Sequence, residues 1–207
     1  MLLEGKRAIV TGSSRGLGRA HAMGLAAEGA RVVINGTSAP DVEAVVREIK
    51  QKGGTAVGCV ESVASMAGAK RIVACAVDNF GGVDILVNNA GIDRPHTLLK
   101  MSEEEWDAVI AVNLKGTFAC SRFAAPYMQQ QNWGRIINMS SVYGLSATIN
   151  RIGYVTTKTA LIGMTRAVAL ETAATSITCN ALCPGTLPTP AIVSKIAALA
   201  AQQGISE

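Results

Sequence analysis

Residues 7–18 read Arg7-Ala8-Ile9-Val10-Thr11-Gly12-Ser13-Ser14-Arg15-Gly16-Leu17-Gly18, a short apolar run that ends in a glycine-rich turn. An alanine-rich stretch of helical character follows to Glu28, and a second apolar run occupies residues 31–35. A strand, a glycine turn, a helix and a second strand are the arrangement that binds a pyrophosphate. The glycines let the backbone approach the phosphates, and the helix N-terminus offers free N–H groups. These residues therefore favour a nucleotide site over a plain tight turn.

The rest of the chain continues this alternation of strands and helices. Further strands are predicted at residues 55–60, 84–88, 135–139 and 177–182. Helices are predicted at residues 38–52, 67–79, 102–130, 154–173 and 191–202. Strands alternating with helices at this spacing indicate a parallel sheet covered on both faces, with right-handed crossovers. We predict an α/β fold: a three-layer, doubly wound, Rossmann-like parallel sheet of at least six strands.

Composition and charge narrow the classes of function. The 207 residues are 49% apolar and 16% charged, which is typical of one domain with a sizeable core. The net charge of +4 is spread without a basic run, so neither nucleic acid nor a membrane surface is an expected partner. The five cysteines lack a C-x-x-C pair and favour reduced, buried thiols without a metal site. With no apolar signal core at the start, we expect a cytoplasmic protein.

A second group of polar residues lies between residues 138 and 158. Tyr154 and Lys158 are four apart, so a helix would place them on one face. A nearby ammonium favours the phenolate and lowers the tyrosine pKa from its usual value near ~10. Ser141, thirteen residues before the tyrosine, follows a predicted strand and could hold a substrate oxygen beside the phenol. Taken alone, Tyr-x-x-x-Lys more often marks a solvated helix face.

Asn113 lies inside the predicted helix 102–130. Asparagine is mildly unfavourable in mid-helix, because its side chain competes for backbone hydrogen bonds. Asn113 therefore either faces solvent or has a specific role.

Together these motifs resemble the short-chain dehydrogenase/reductase family. They occur in the family's order and spacing over nearly the whole chain, although each alone is weak. The matching residues are Thr11-Gly12-x-x-x-Gly16-x-Gly18, Asn88-Asn89-Ala90-Gly91, Asn113, Ser141 with Tyr154-x-x-x-Lys158, and Pro184-Gly185 with Thr189.

The resemblance implies reversible hydride transfer between a nicotinamide cofactor and a secondary alcohol or ketone. In that reaction Tyr154 exchanges the proton with the substrate oxygen, and Ser141 polarises that oxygen. Lys158 lowers the tyrosine pKa and holds the nicotinamide ribose, while Asn113 holds a water that links the lysine to solvent. The alternative is a protein that keeps the fold to sense the cofactor or bind a partner, with little turnover.

The resemblance also implies which residues contact the cofactor. An acid after the second strand, typical of NAD-preferring relatives, is replaced here by Gly36-Thr37-Ser38. Because Arg15 could pair with a 2′-phosphate, NADP(H) is favoured and NAD(H) remains possible. An aspartate that often meets the adenine is replaced by Ser62, before Val63, so the adenine contacts are either weaker or come from Glu61. The expected contacts are Gly12, Ser14, Arg15, Gly16, Leu17, Gly18, Thr37, Ser62, Val63, Asn89, Ala90, Gly91, Tyr154, Lys158, Pro184, Gly185 and Thr189.

The substrate is less well defined by the sequence. The last part of the chain is similar to the 3-hydroxybutyrate dehydrogenases of the family, which suggests a 3-hydroxy acid or 3-oxoacyl group. Where those enzymes hold a carboxylate, this chain has Asp93, Tyr143 and Arg151. The arginine could bind a carboxylate and the aspartate would repel one, or all three residues could belong to an exposed loop.

The C-terminus differs from the family, whose members usually continue with a further strand and helix. These are absent from the sequence, so we expect either further residues in the natural protein or contacts with another subunit. The long helices around Asn113 and Tyr154 are expected to pair with their copies in a dimer or tetramer. Phe118, Leu161 and Val168 would form the apolar faces of that pairing.

Overall fold

A computed structural model describes residues 1–188, 193–194, 196–198 and 200. Its centre is a six-stranded sheet in which every neighbouring pair is parallel, in the order β3-β2-β1-β4-β5-β6. The strands are β1 Arg7–Val10, β2 Arg31–Gly36, β3 Thr55–Val60, β4 Ile85–Asn88, β5 Gly134–Met139 and β6 Ile177–Leu182. The predicted doubly wound sheet is therefore confirmed.

Helices cover the two faces of the sheet. The helices are α1 Gly16–Ala27, α2 Ala39–Gln51, α3 Met66–Phe80, α4 Glu103–Val109, α5 Gly116–Gln130 and α6 Ile152–Glu171. One apolar core lies between the sheet and α1 and α2, and a second between the sheet and α3, α5 and α6. Ile9 and Val10, adjacent on β1, are both fully buried but belong to different cores, because successive strand residues point to opposite faces.

Two helix predictions need correction. The predicted helix 102–130 is not one regular α-helix, because a π-helical turn, Ile110–Lys115, joins α4 to α5. The loop before α6 is shorter than predicted, because α6 begins at Ile152 and a 3₁₀ turn occupies Val142–Gly144. Of the predicted helix 191–202, residues 193–194, 196–198 and 200 are helical, and the rest lie outside the described residues. None of the helices in the described parts of the chain is long and apolar enough to cross a membrane.

The strand order places the polar motifs together. The direction in which successive strands are added to the sheet reverses between β1 and β4, so the connections after these two strands lead to opposite faces of the sheet. A crevice therefore forms between them at the carboxyl ends of the strands. Val10 on β1 is level with Ile34 on β2 and Val87 on β4. The glycine turn after β1 and the Asn-Asn-Ala-Gly segment after β4 therefore meet at this crevice.

Candidate active site

The glycine turn forms a tight cradle at the end of β1. Gly12 has a φ of +61°, and a Cβ there would lie 2.9 Å from Ala90 Cα. A Cβ on Gly18 would lie 2.4 Å from the Gly12 carbonyl oxygen. Both positions exclude larger residues, and α1 begins beside them with no side-chain cap on its first N–H groups. This geometry fits the pyrophosphate of a dinucleotide.

Thr11 and Asn89 fix the turn against β4. The Thr11 hydroxyl oxygen accepts hydrogen bonds from the Asn89 and Ala90 N–H groups, both at 3.0 Å. The Asn89 amide donates to the carbonyl oxygens of Thr11 at 2.9 Å and Gly12 at 3.1 Å. The Asn89 side chain therefore holds the turn in place, in addition to lining the cleft as the sequence predicted.

Asn35, near the end of β2, was missed by the sequence reasoning. Its side-chain oxygen accepts from the Gly12 N–H at 3.2 Å, and its amide donates to the carbonyl oxygens of Cys59 at 3.1 Å and Glu61 at 2.9 Å. It is 1% exposed and ties the ends of three strands together. A buried amide must be hydrogen-bonded, so an asparagine within an apolar strand was the available signal.

A cavity of about 440 Å³ extends from the glycine turn along the ends of β2 and β3. Of the predicted cofactor contacts, it contains Gly12, Ser14, Arg15, Leu17, Gly18, Thr37, Ser62, Val63, Asn89, Ala90 and Gly91. Gly16 is absent from this lining and opens α1 instead, with a φ of +56°. Glu61, the alternative adenine contact, also lines this cavity. Six further lining residues were not expected as contacts: Asn35, Gly36, Ser38, Asp41, Ile92 and Val112.

A second cavity of about 330 Å³ adjoins the first, and the two share Leu17, Asn89, Gly91 and Ile92. It brings together the predicted catalytic and substrate residues Ser141, Tyr154, Lys158, Asp93, Tyr143 and Arg151, with Pro184 and Gly185. Thr189 lies outside the described residues. Two connected cavities, one rich in glycine and one containing a Tyr-Lys pair, give room for a dinucleotide beside a small substrate.

Tyr154 and Ser141 both line the second cavity, where the Ser141 hydroxyl oxygen accepts a hydrogen bond from the Tyr143 N–H at 3.2 Å. Burial raises the pKa of Tyr154 above its usual value, although the nearby Ser141 hydroxyl and the Arg151 charge act to lower it. The expected lowering of this pKa by Lys158 is not found in the structure. The Lys158 ammonium lies over the Tyr154 ring, 5.4 Å from its centre, and donates its hydrogen bond to the Met139 carbonyl oxygen, so burial is the main cause of the raised pKa.

Lys158 is directed to the sheet. Its Nζ donates a hydrogen bond to the Met139 carbonyl oxygen at 2.6 Å, and the residue is only 4% exposed. Burial lowers its pKa to about 8. A Cβ on Gly91 would lie 3.6 Å from this Nζ, so the glycine leaves space on the cofactor side of the amine. Ser140 supports the same helix by donating to the Lys158 carbonyl oxygen at 2.7 Å, which agrees with its expected structural role.

Asn113 lies in the π-helical turn and is fully buried, so it does not face solvent. Its side-chain oxygen accepts from the Ile92 N–H at 2.8 Å, and its amide donates to the Ile92 carbonyl at 2.9 Å and to Thr157 at 3.2 Å. Thr157 in turn donates to the Tyr154 carbonyl at 3.0 Å. Asn113 therefore fixes the segment after β4 and connects it to α6.

Asp93 and Arg151 form an ion pair at the mouth of the second cavity, with Asp93 Oδ2 lying 3.4 Å from Arg151 Nε. The guanidinium also lies over the Tyr143 ring, 5.6 Å from its centre. The other carboxylate oxygen, Oδ1, is buried and makes no hydrogen bond to any described residue. The pair leaves the arginine charge compensated within the protein.

The fold and the paired cavities fit a protein that binds a dinucleotide beside a small substrate. The chain belongs to the short-chain dehydrogenase family, whose model matches residues 6–199. The protein is accordingly an NAD(P)-dependent short-chain oxidoreductase.

Individual relatives agree with this assignment. The chain is 43% identical over 206 residues to the D-beta-hydroxybutyrate dehydrogenase of Cupriavidus necator, covering 99% of this chain and 79% of the relative. It is 46% identical over 181 residues to the 3-oxoacyl-(acyl-carrier-protein) reductase FabG of Staphylococcus aureus, covering 87% and 74%. A crystal structure of a short chain dehydrogenase from Mycobacterium avium superposes with a TM-score of 0.86 at 40% identity, covering 90% of this chain and 69% of that one.

Proposed function

We propose that the protein interconverts a secondary alcohol and a ketone through a Ser141-Tyr154-Lys158-Asn113 site. The observation that carries this proposal is the cavity that brings Ser141, Tyr154 and Lys158 together beside the glycine-lined cleft. Bound in that cleft, the nicotinamide supplies or accepts the hydride. Tyr154 then gives a proton to the substrate oxygen in reduction, or takes it in oxidation, while the Ser141 hydroxyl hydrogen-bonds the same oxygen.

Lys158 and Asn113 both lie beside Gly91, where a Cβ would be 3.6 Å from Lys158 Nζ and 3.5 Å from Asn113 Oδ1, and each supports the tyrosine site. The buried ammonium has space on the Gly91 side, where a ribose hydroxyl can accept its hydrogen bond. Rotation of Nζ from the Met139 carbonyl toward the cleft would bring its charge closer to the phenol, and a nearby cation favours the phenolate. Asn113 holds the segment after β4 against α6, because its side chain is hydrogen-bonded to both Ile92 and Thr157. Removing Asn113 would therefore loosen both sides of the site.

The proton-transfer role is tested by Tyr154→Phe, with Tyr127→Phe on α5 as the matched control. The first change removes the phenol hydroxyl from the cavity, whereas the second removes one remote from the site. We expect Tyr154→Phe to lower turnover by ~10²- to 10⁴-fold, as general acid/base groups do, with cofactor affinity unchanged. Tyr127→Phe should retain turnover. Oxidation of the reduced nicotinamide, followed by absorbance with a panel of ketones, is the measurement.

A Tyr154→Phe variant within threefold of the parent would remove this mechanism. Tight cofactor binding by the parent with no turnover on any ketone or alcohol would instead favour the cofactor-sensing alternative.

NADP(H) is the cofactor we favour. No acid directly follows Gly36 at the end of β2, and exposed Arg15 lines the same cavity as Thr37 and Ser38. Ser38 begins α2 without a side-chain hydrogen bond to its first turn, so N–H groups there are open to an anion. A guanidinium beside a helix N-terminus suits a 2′-phosphate. Asp41 lines the same cavity, and its carboxylate would repel a 2′-phosphate, so we expect a preference for NADP(H) and some activity with NAD(H).

The substrate class we propose is a 3-oxoacyl or 3-hydroxyacyl compound whose acyl group is neutral, such as an ester or thioester. Two relatives, a D-beta-hydroxybutyrate dehydrogenase and a 3-oxoacyl-(acyl-carrier-protein) reductase, are named for 3-hydroxy and 3-oxoacyl substrates. In this chain Arg151 is already paired with Asp93, so a free carboxylate would meet the aspartate charge as well as the guanidinium. Comparing acetoacetate with its ethyl ester tests this directly. A kcat/KM higher for the acid than for the ester would contradict the neutral-acyl proposal while leaving the mechanism intact.

Self-association through α5 and α6 is also proposed. Phe118 on α5 is 46% exposed, and α6 exposes the small residues Gly163 and Ala167 together with Leu170. Two of the side chains expected on these faces are placed differently: Leu161 is 1% exposed and belongs to the interior of this chain, and Val168 packs partly against the core. The helix faces available for pairing are thus those around Phe118 and Gly163.

A further inference from the structure

Two of the five cysteines meet across β3 and α3, outside the two cavities. Cys59 and Glu61 share one face of β3 and its extension, since side chains two apart on a strand point the same way. Arg71 and Cys75 share one face of α3, since residues four apart on a helix are neighbours. Glu61 is ion-paired with Arg71, and the Cys75 thiol donates a hydrogen bond at 3.8 Å to the carbonyl oxygen of Gly58, the residue before Cys59 on β3.

The spacing explains why both pairs form together. Two strand residues advance about 6.6 Å and four helical residues about 6 Å. Once Glu61 meets Arg71, the antiparallel course of α3 therefore brings Cys75 level with Cys59. Both cysteines are half-buried, whereas Cys120 and Cys179 are buried. A small oxidant can reach the facing thiols more easily than the two core thiols.

Cys75 is the better nucleophile of the two. Its sulfur accepts a hydrogen bond from the Asn79 amide at 3.8 Å, and an N–H donor at the sulfur favours the thiolate. The interaction between the two thiols lowers the pKa of Cys75 and raises the pKa of Cys59. The thiolate forms first on Cys75, and the thiolate is the reactive species.

We propose that Cys59 and Cys75 are a redox modification site, closing to a disulfide with peroxide and reopening with a dithiol. The Cys75 thiolate attacks peroxide, breaks the O–O bond and becomes a sulfenic acid, releasing hydroxide that is protonated to water. Cys59 then attacks that sulfur, forms the S–S bond and releases a second water. The two thiols thereby lose two electrons and two protons to the peroxide. A dithiol reverses the step by exchange through a mixed disulfide.

Closure of this pair acts on the cofactor cleft through Asn35. The Cys59 carbonyl oxygen accepts from the Asn35 amide, and the Asn35 side-chain oxygen accepts from the Gly12 N–H. An S–S bond of about 2.05 Å is much shorter than a non-bonded contact of two sulfurs, so closing it draws β3 and α3 together. The resulting shift of Cys59 loosens Asn35 and, through it, the glycine turn. Oxidation therefore weakens cofactor binding.

The test treats the full chain with hydrogen peroxide, alkylates the remaining thiols with iodoacetamide, and maps the cysteines by mass spectrometry. We expect a Cys59–Cys75 linked peptide, a mass lower by two hydrogen atoms, and recovery of both thiols with dithiothreitol. Cofactor affinity should fall roughly two- to tenfold on oxidation, the effect of losing about one hydrogen bond. Cys75→Ser and Cys75→Ala, checked for folding by thermal denaturation, should bind cofactor as the reduced parent does and be insensitive to peroxide.

Either of two results overturns the proposal. If no Cys59–Cys75 disulfide forms, or if peroxide links other cysteines instead, there is no redox pair. If the disulfide forms and cofactor affinity is unchanged, the coupling through Asn35 is wrong. Failure of the reduced parent to bind any nicotinamide cofactor would contradict the proposed function, and the peptide map would still decide the disulfide.

Discussion

Lys158→Met is expected to stabilise the cofactor-free protein near neutral pH while it abolishes turnover. The side chain is buried, and burial lowers its pKa from 10.5 to about 8. That change corresponds to ~3 kcal/mol, the cost of keeping the ammonium charged in the folded state. Methionine has a similar length and carries no charge, so it removes this cost. It also removes the hydrogen bond to the Met139 carbonyl, a loss of ~1–3 kcal/mol.

The pH dependence separates these two effects. Below about pH 8 the lysine is charged in both the folded and the unfolded state, so the full cost applies. Between about pH 8 and 10.5 only the unfolded state holds the proton, so the free energy of unfolding of the parent rises with pH. The variant lacks this rise. The free energy of unfolding of the variant minus that of the parent should therefore fall by ~3 kcal/mol from pH 7 to 10.5. The lost hydrogen bond shifts this difference equally at every pH and does not affect the change.

The assay is urea denaturation of both proteins without cofactor and under a reductant, at pH 7, 8, 9 and 10, with turnover measured in parallel. Lys115→Met is the matched control, because Lys115 is exposed and the same change there removes no buried charge. A difference between Lys158→Met and the parent that is the same at every pH would refute the burial argument. Retained turnover in Lys158→Met would refute the catalytic role of the lysine.

Three further changes test the cofactor, substrate and assembly proposals. Arg15→Ala should lower kcat/KM with NADP(H) at least tenfold more than kcat/KM with NAD(H). Arg19 is paired with Glu48, so the control variant Arg19→Ala should change both values alike. Equal losses with the two cofactors in Arg15→Ala would contradict the assignment of Arg15 to the 2′-phosphate. Asp93→Asn frees the arginine charge and should raise kcat/KM for acetoacetate relative to its ethyl ester, and an unchanged ratio would show that the pair does not set acid discrimination. Phe118→Ser should shift light scattering toward smaller species, and a parent that is monomeric at all concentrations would contradict pairing through α5.

The sequence was enough to predict the order of elements and the positions of the main motifs. Strands and helices have different hydrophobic periods, and a glycine turn needs residues that accept close backbone contact, so these features can be read locally. Tyr154 and Lys158 share a helix face by spacing alone. The carboxyl ends of parallel strands meet at one edge, so residues after β1, β4 and β5 could be expected at one crevice.

Other features depend on distances between residues that are far apart in the chain. The sequence marked Asn113 as unusual, but only packing against Ile92 and Thr157 shows a buried residue in a π-helical turn. The direction of the Lys158 amine is set by the Met139 carbonyl, nineteen residues away, and burial then raises rather than lowers the Tyr154 pKa.

The polar contacts around the site also depend on residues that are far apart in the chain. Asp93 and Arg151 are 58 positions apart in the sequence, and Cys59 and Cys75 are 16 apart, so no local pattern predicts that either pair meets. Their contacts follow from where α6 begins and from the course of α3 across β3. Periodicity and spacing specify which element a residue belongs to, whereas charge compensation, burial and pKa depend on which elements pack together.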